Sequence, residues 1–335
     1  MKISASLYSN RDRPLTDLVQ ELDALHIDSF HIDCNDDPSV FDDIREIRKL
    51  STTPIDLHII SAEPEKYYGL IEEHKVEYVQ FQYETMQGQS LPVPPAGTEY
   101  GLAVVSDTPL EVFAPYQETC TFILLMTTTP GQSGGVFRKD NFNRIRRFGK
   151  QFPRKKIHVD GGVNDEVSFI LRSLAVDSAV SGSFLVNHTS MGAALLGLKM
   201  HEVRSHYRVK DFMMDLQDVP RLSLDQVTLA SVLQTIEDYG LGFATVVDEA
   251  GKLKGICSNA DVRRALLGHL GDLPAIPASA LVNTNPVSIS EEATVEDMLA
   301  LVAGLSFPIL FLPVVNAQQQ ITGTLMFNNL IRGEG

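Results

Sequence analysis

Asp160-Gly161-Gly162-Val163-Asn164, behind the short run Ile157–Val159, puts a carboxylate at the end of a strand-like segment and then two glycines with open backbone N–H groups. That pairing suits phosphate binding beside proton-transfer chemistry. Three more groups sit in equivalent settings upstream: His31 and Asp33 in Phe-His-Ile-Asp-Cys, and His58 in Ile-Asp-Leu-His-Ile-Ile. Residues two apart on a strand share a face, so His31 and Asp33 are expected to point together. Two imidazoles and two carboxylates form a mixed nitrogen and oxygen donor set that suits divalent Zn, Fe, Mn or Co. Taken singly, a His-x-Asp on a strand reads as structural and an Asp-Gly-Gly as a turn. Their recurrence at three strand ends points to a metal-assisted enzyme.

The elements that must position these groups are short apolar runs at Ile3–Leu7, Phe30–Cys34, Ile55–Ile60, Tyr78–Tyr83, Gly101–Val105, Phe122–Met126, Lys156–Asp160 and Ser178–Ser181. Amphipathic stretches such as Pro14–Leu25, Val40–Leu50, Pro64–His74, Phe142–Phe152 and Glu166–Leu174 lie between them. Repeated βα units predict an α/β fold, a closed (β/α)8 TIM barrel, whose catalytic groups sit at the C-terminal ends of strands. His31, Asp33, His58 and Asp160 all fall at such ends.

A length of 335 residues exceeds one ordinary core and predicts two domains. The formal charge of −15 argues against nucleic acid or an anionic membrane as partners, while leaving room for a local phosphate site. Cys34, Cys120 and Cys257 show no paired spacing and are read as free thiols of a reducing compartment. The N-terminus does not read as a signal peptide and no apolar run reaches transmembrane length, so the cytoplasm is the expected location. The basic stretch Arg138–Lys156 reads as the solvated face of a barrel helix.

Ser6 within Ile3–Leu7, His31-Ile32-Asp33, Asp56-Leu57-His58, Met126 followed by Pro130-Gly131, Gly134-Gly135 and Phe137, then Val159–Asn164 and Gly182-Ser183, occur in an order and spacing that resemble the ribulose-phosphate 3-epimerases. The resemblance spans about residues 1–195. It implies that His31, Asp33, His58 and Asp160 hold one divalent metal ion, and that Asp33 and Asp160 are the catalytic acid/base pair. The implied reaction inverts C3 of a ketose phosphate, D-ribulose 5-phosphate or a relative, through an enediolate. Inversion beside a ketone removes a carbon-bound proton from one face and returns one to the other, so one carboxyl starts ionised and its partner protonated. The ion would act as a Lewis acid on the substrate oxygens. The resemblance further implies phosphate anchoring by backbone N–H groups of Gly134, Gly135, Gly162, Gly182 and Ser183, substrate positioning by Ser6 and Met126, and a lid over Thr127–Gly135. Asn35 and Ile60 stand where methionines are usual, Gln82 where a histidine is usual, and Tyr8 replaces a leucine. These departures, with the altered flap Pro-Gly-Gln-Ser-Gly-Gly, imply a changed ketose phosphate with catalysis retained.

The predicted domains are the barrel over residues 1–200, a linker over 201–210 and a second domain over 211–335. In the second, Val246–Ile256 recurs weakly as Val314–Thr324, 68 residues on, as an internal duplication would give. The copies, 211–270 and 278–333, each read as a strand (Arg221–Leu224, Pro286–Ile289), a helix (Leu229–Asp238, Val295–Ala303), a hairpin and a final helix. This half resembles an α+β tandem pair of CBS domains, with Gly255–Arg264 matching their nucleotide motif. The resemblance implies that Ser258 and Asp261 contact the ribose and phosphate of an adenine nucleotide. The second copy lacks both groups. Asp261 reads equally as a helix cap, and the pair equally as a dimerisation platform for a homo-oligomer. The run Asp-Val-Arg-Arg-Ala-Leu is also similar to that of sugar-phosphate isomerases of surface-polysaccharide synthesis. The rival to an epimerase is a non-catalytic sensor, its barrel binding a sugar phosphate and its CBS pair a nucleotide effector.

Overall fold

A computed structural model of the chain describes residues 1–86, 88–128, 134–199, 205–307 and 309–327. Its two compact units lie within Met1–Val203 and Arg204–Asn328. In the first, β1 (Lys2–Ser6), β2 (Ser29–Cys34), β3 (Ile55–Ile59), β4 (Tyr78–Gln82), β5 (Glu99–Val105), β6 (Cys120–Met126), β7 (Lys156–Asp160) and β8 (Ser178–Ser181) pair in sequence order and close into a barrel, all parallel. A run such as Phe-Ile-Leu-Leu in β6 suits this arrangement, because parallel strands covered on both faces gain from apolar residues at every position. The outer layer includes the helices Leu15–Ala24, Val40–Leu50, Asp140–Gln151, Asp165–Ser173 and Met191–Lys199. Asp140–Gln151 buries Phe142, Ile145 and Phe148, three apart and so on one helical face. Phe148 meets Phe113 edge-on with centroids 5.0 Å apart, and each such buried ring contributes about 2–3 kcal/mol.

The connections depart from uniform βα units in three places. Pro64–Tyr67 is a 3-10 turn, so the expected helix is α-helical only over Tyr68–Glu73. A single turn, Tyr83–Met86, follows β4, and the 3-10 segment Leu110–Tyr116 follows β5. Pro115 sits inside that last segment, where its missing N–H disfavours a continuous α-helix.

Register decides what meets at the barrel mouth. Ser6 pairs with His31, Asp33 with His58, and Met126 with Asp160. One layer lower, the buried residues Ser4, Asp56, Gln80 and His158 are polar. The mouth therefore rests on hydrogen-bonding groups as well as on hydrocarbon.

The second unit has β9 (Met214–Asp215), β10 (Arg221–Ser223), β11 (Phe243–Val247), β12 (Leu253–Ser258), β13 (Ile289–Ser290), β14 (Phe311–Val315) and β15 (Ile321–Met326). They form two sheets, β10-β11-β12 and β13-β14-β15-β9. The duplication is visible in the register: Val246 opposes Gly255 and Val314 opposes Gly323, each beside a bulge. Equivalent residues of the two copies also meet, since Phe243 stacks on Phe311 with centroids 3.8 Å apart and Lys252 bridges Gln320. Capping boxes at Thr228 and Thr294 start the equivalent helices Leu229–Tyr239 and Val295–Ala303.

Residues 201–204 of the expected linker, and the final helix expected of the second copy, which would fall beyond residue 327, lie outside the described residues. The rest of the linker stretch is packed into the second unit. Tyr207 and Val209 are buried, and the Val209 and Lys210 N–H groups donate to the carbonyls of Ala293 and Glu291. Its polar composition reflects the exposed Arg208 and Lys210 between buried neighbours. The three cysteines are unpaired and buried. No helix among the described residues is long and apolar enough to cross a membrane.

Candidate functional site

β2, β3 and β7 bring His31, Asp33, His58 and Asp160 together, with one donor atom from each lying within 4.8 Å of all the others. His31 is buried, and its Nε2 stands 3.4 Å from Asp33 Oδ1 and 3.8 Å from Asp160 Oδ2 with no hydrogen-bond partner. Its other nitrogen, Nδ1, donates to Asp56 Oδ2 at 3.0 Å, and that oxygen also accepts from Ser4 Oγ at 2.8 Å. A carboxylate behind a histidine fixes the ring's orientation and raises its basicity as a ligand. His58 is fully buried, its Nδ1 3.2 Å from Asp33 Oδ1 and its Nε2 2.8 Å from Gln82 Oε1.

The electrostatics are uneven in a useful way. Burial disfavours charge on His31, yet Asp56 and Asp33 outweigh it and hold the imidazole protonated well above its ordinary range. Burial pushes Asp33 up as well, but His31 and His58 pull its carboxyl far below the usual carboxylate range. Burial pushes Asp160 up to about 6; His31 opposes the rise and the neighbouring Asp33 adds to it. The buried Asp56 is held at about 2 by His31. One carboxyl of the cluster is thus a committed anion and the other a carboxyl ready to carry a proton.

These residues fit a divalent cation. His31 Nε2 is a buried donor atom without a partner, two anionic oxygens converge on it, and a cation would displace the extra imidazole proton. The separations of 3.2 to 3.8 Å among these atoms match the roughly 3 Å spacing of ligands held at about 2.0–2.2 Å from an ion.

The other expected substrate contacts fall around the same mouth. Ser6, at the end of β1, is buried and accepts from Ser9 Oγ at 3.0 Å. Met126 ends β6 beside Asp160. A Cβ built on Gly182 would lie 2.4 Å from Ser9 Oγ and 3.6 Å from Ser6 Cβ, and one on Gly134 would lie 3.7 Å from Ser183 Oγ. Ser6, Gly134, Gly182 and Ser183 therefore share one neighbourhood, and half-buried Gly135 follows Gly134. Gly162 is glycine for two reasons, a φ of 67° and an approach so close that a Cβ would sit 2.4 Å from Phe137 N. Residues 129–133 of the expected lid lie outside the described residues.

Ser258 and Asp261 lie in the second unit, where they form the capping box of the helix Asn259–Gly268. The Ser258 N–H and Oγ donate to Asp261 Oδ2 at 2.9 and 2.5 Å, and Arg264 Nη1 donates to Oδ1 at 2.9 Å. The cap reading is realised, and both carboxylate oxygens are engaged.

Sequence reasoning missed the supporting residues. Asp56 stands two residues before His58 on the same strand face, which was a legible signal. Gln82 stood out only as a departure where a histidine is usual, with no role given to it; Ser4 and Glu84 carried no signal, because Ser4 serves Asp56 on another strand and Glu84 orients Gln82 only once the turn after β4 is built. Tyr8 donates to Asp43 Oδ2 at 2.6 Å, a contact equally invisible to local pattern.

A profile of the Ribulose-phosphate 3 epimerase family matches residues 2–186, and a CBS domain profile matches residues 209–268. An uncharacterized protein of Chlamydia trachomatis is 36% identical over 132 residues, 39% of this chain and 40% of that protein. The ribulose-phosphate 3-epimerase of Schizosaccharomyces pombe is 25% identical over 147 residues, 43% of this chain and 64% of that enzyme. The chain thus spans less than two thirds of the length of either relative. The crystal structure of the CBS-pair protein CBSX2 from Arabidopsis thaliana aligns with 38% of this chain and 94% of its own, at 22% identity and a TM-score of 0.33. With the family profile running through more than half of the residues and over every strand of the closed barrel, the chain belongs to the ribulose-phosphate 3 epimerase family.

Proposed function

We propose that the barrel is a metal-dependent sugar-phosphate epimerase that inverts C3 of a ketose phosphate, D-ribulose 5-phosphate or a close relative. The observation that carries this reading is the convergence of His31, Asp33, His58 and Asp160, with His31 Nε2 buried and unpartnered beside two carboxyls of unlike proton affinity.

Asp33 and Asp160 come from β2 and β7, 3.4 and 3.8 Å from His31 Nε2. A ketose seated between them would offer its C3 hydrogen to the ionised carboxylate, while the protonated carboxyl returns a proton to the other face. Asp33 starts as the base and Asp160 as the acid, and the roles reverse for the opposite epimer. The four residues would hold a divalent ion that neutralises charge developing on the substrate oxygens. Asp56 keeps His31 oriented throughout. Ser6, Gly134, Gly135, Gly162, Gly182 and Ser183 would dock the phosphate, and Met126 would flank the sugar.

The CBS pair would regulate the barrel or organise a homo-oligomer. An adenine nucleotide at Ser258 and Asp261 would have to compete with Arg264 for the carboxylate, which favours the structural role for that pair of residues.

The test is to incubate metal-loaded protein with ribulose 5-phosphate and other ketose phosphates in D2O, following deuterium at C3 and epimer formation by NMR. Epimer formation that is lost in Asp160→Asn supports the reading. Bound metal with no exchange on any of these sugars would favour a sensor instead.

A further inference from the structure

We propose that Gln82 and Glu84 are positioning residues that decide which nitrogen of His58 faces the cation, an inference that rests on the metal reading of the cluster. Glu84 lies in the turn that follows β4. One of its oxygens, Oε1, accepts from the Val105 N–H at 3.1 Å and from the Thr108 hydroxyl; the other, Oε2, accepts from Gln82 Nε2. An ionised carboxylate only accepts, so the Gln82 side chain must present its NH2 to Glu84 and its carbonyl oxygen to His58. That oxygen also only accepts, so the proton on the neutral imidazole belongs on Nε2, 2.8 Å away. Nδ1 is then the nitrogen that faces the cluster; Asp33 Oδ1, 3.2 Å away, is an acceptor on that side, and a cation seated there would take the Nδ1 lone pair in place of that contact.

A polar chain from the end of β5 through Gln82 thus sets the tautomer of a candidate ligand contributed by β3. His31 is held by a different device, the buried anion Asp56. The contrast has a chemical sense. Glutamine carries donor and acceptor at opposite ends of one planar group and gains no charge between pH 5 and 8, whereas a histidine in its place would. Gln82 is itself buried, so the orientation is protected from water.

The test uses the full chain. In metal-free, 15N-labelled protein at pH 8, long-range proton–nitrogen correlations, assigned with a His58→Gln control, should show His58 protonated on Nε2. Gln82→Leu, which removes the acceptor at Nε2, should lose that proton and leave Nδ1–H facing Asp33. It should also weaken Co2+ binding about 10- to 100-fold and shift the visible absorption of the Co2+ form. The exchanged pair Gln82→Glu with Glu84→Gln rebuilds an acceptor toward His58 and a donor behind it, and should recover both readouts. If Gln82→Leu fails to fold, Glu84→Gln, which removes the charge that orders the amide, should show a partial loss of both. Wild-type His58 without a proton on Nε2, or a folded Gln82→Leu with unchanged His58 protonation and Co2+ affinity, would overturn the proposal. If wild-type protein takes up no Co2+, the metal reading fails, and the tautomer measurement alone decides the positioning claim.

Discussion

Replacing Asp160 by asparagine should make the metal-free protein more stable at neutral pH. Its carboxyl is pushed from the ordinary 3.8 to about 6, chiefly by burial. At 1.36 kcal/mol per unit, that rise corresponds to a folding penalty of about 3 kcal/mol for carrying the charge. The side chain is 20% exposed at the mouth, and screening by water trims the figure to about 1–2 kcal/mol. The sign follows from linkage. Native protein holds this proton more tightly than unfolded chain, so there is no penalty below about pH 4, it grows as pH rises, and it is complete above about pH 6. Asparagine keeps the shape of the neutral carboxyl and never pays it. Thermal and urea unfolding of both proteins in EDTA, from pH 4 to 8, read on the barrel transition, should show matching stabilities at pH 4. The variant should lead by about 3–6 °C at pH 7.5. Added divalent metal should then stabilise the wild type far more than the variant. A variant less stable at pH 7.5, or offset equally at both ends of the range, would refute the reasoning.

Asp56→Asn weakens the clamp on His31 and should lower divalent-metal affinity about 10-fold or more, measured by competition with a chelating dye. Gly162→Ala forces a φ of 67° and a Cβ 2.4 Å from Phe137 N; a loss of about 1–3 kcal/mol in the urea unfolding free energy and a raised KM for sugar phosphate are expected. Phe243→Ala removes one of the two rings stacked between the duplicated copies and should cost the second unit about 3–5 kcal/mol, seen by calorimetry. Asp261→Ala should cost about 0.5–2 kcal/mol through the lost cap whether or not a nucleotide is present, and calorimetric titration with AMP separates that loss from any ligand role.

Local pattern was enough for much of this protein. Period-two alternation and apolar runs marked eight strands within a residue or two, and the same alternation put His31 with Asp33 on one face. The 68-residue repeat forecast a duplication that the bulges at Val246 and Val314 now mirror. Where the reading strayed, local chemistry had a second solution: Pro64–Tyr67 formed a 3-10 turn ahead of a shortened helix, and the polar stretch around Arg208 concealed buried Tyr207 and Val209.

The amino-acid sequence by itself determined which residue types stand at the ends of strands, because side-chain chemistry and alternation are properties of neighbours along the chain. Barrel closure alone decided that β2, β3 and β7 deliver one cluster and not three separate ones. Tertiary structure also split Asp33 from Asp160, set Asp56 behind His31 and Gln82 behind His58, and engaged Asp261 in a cap with Arg264 at its free oxygen. Desolvation and hydrogen bonding act between groups brought together from distant strands, so a carboxylate acquires its acidity and a histidine its tautomer only once the fold has chosen their neighbours.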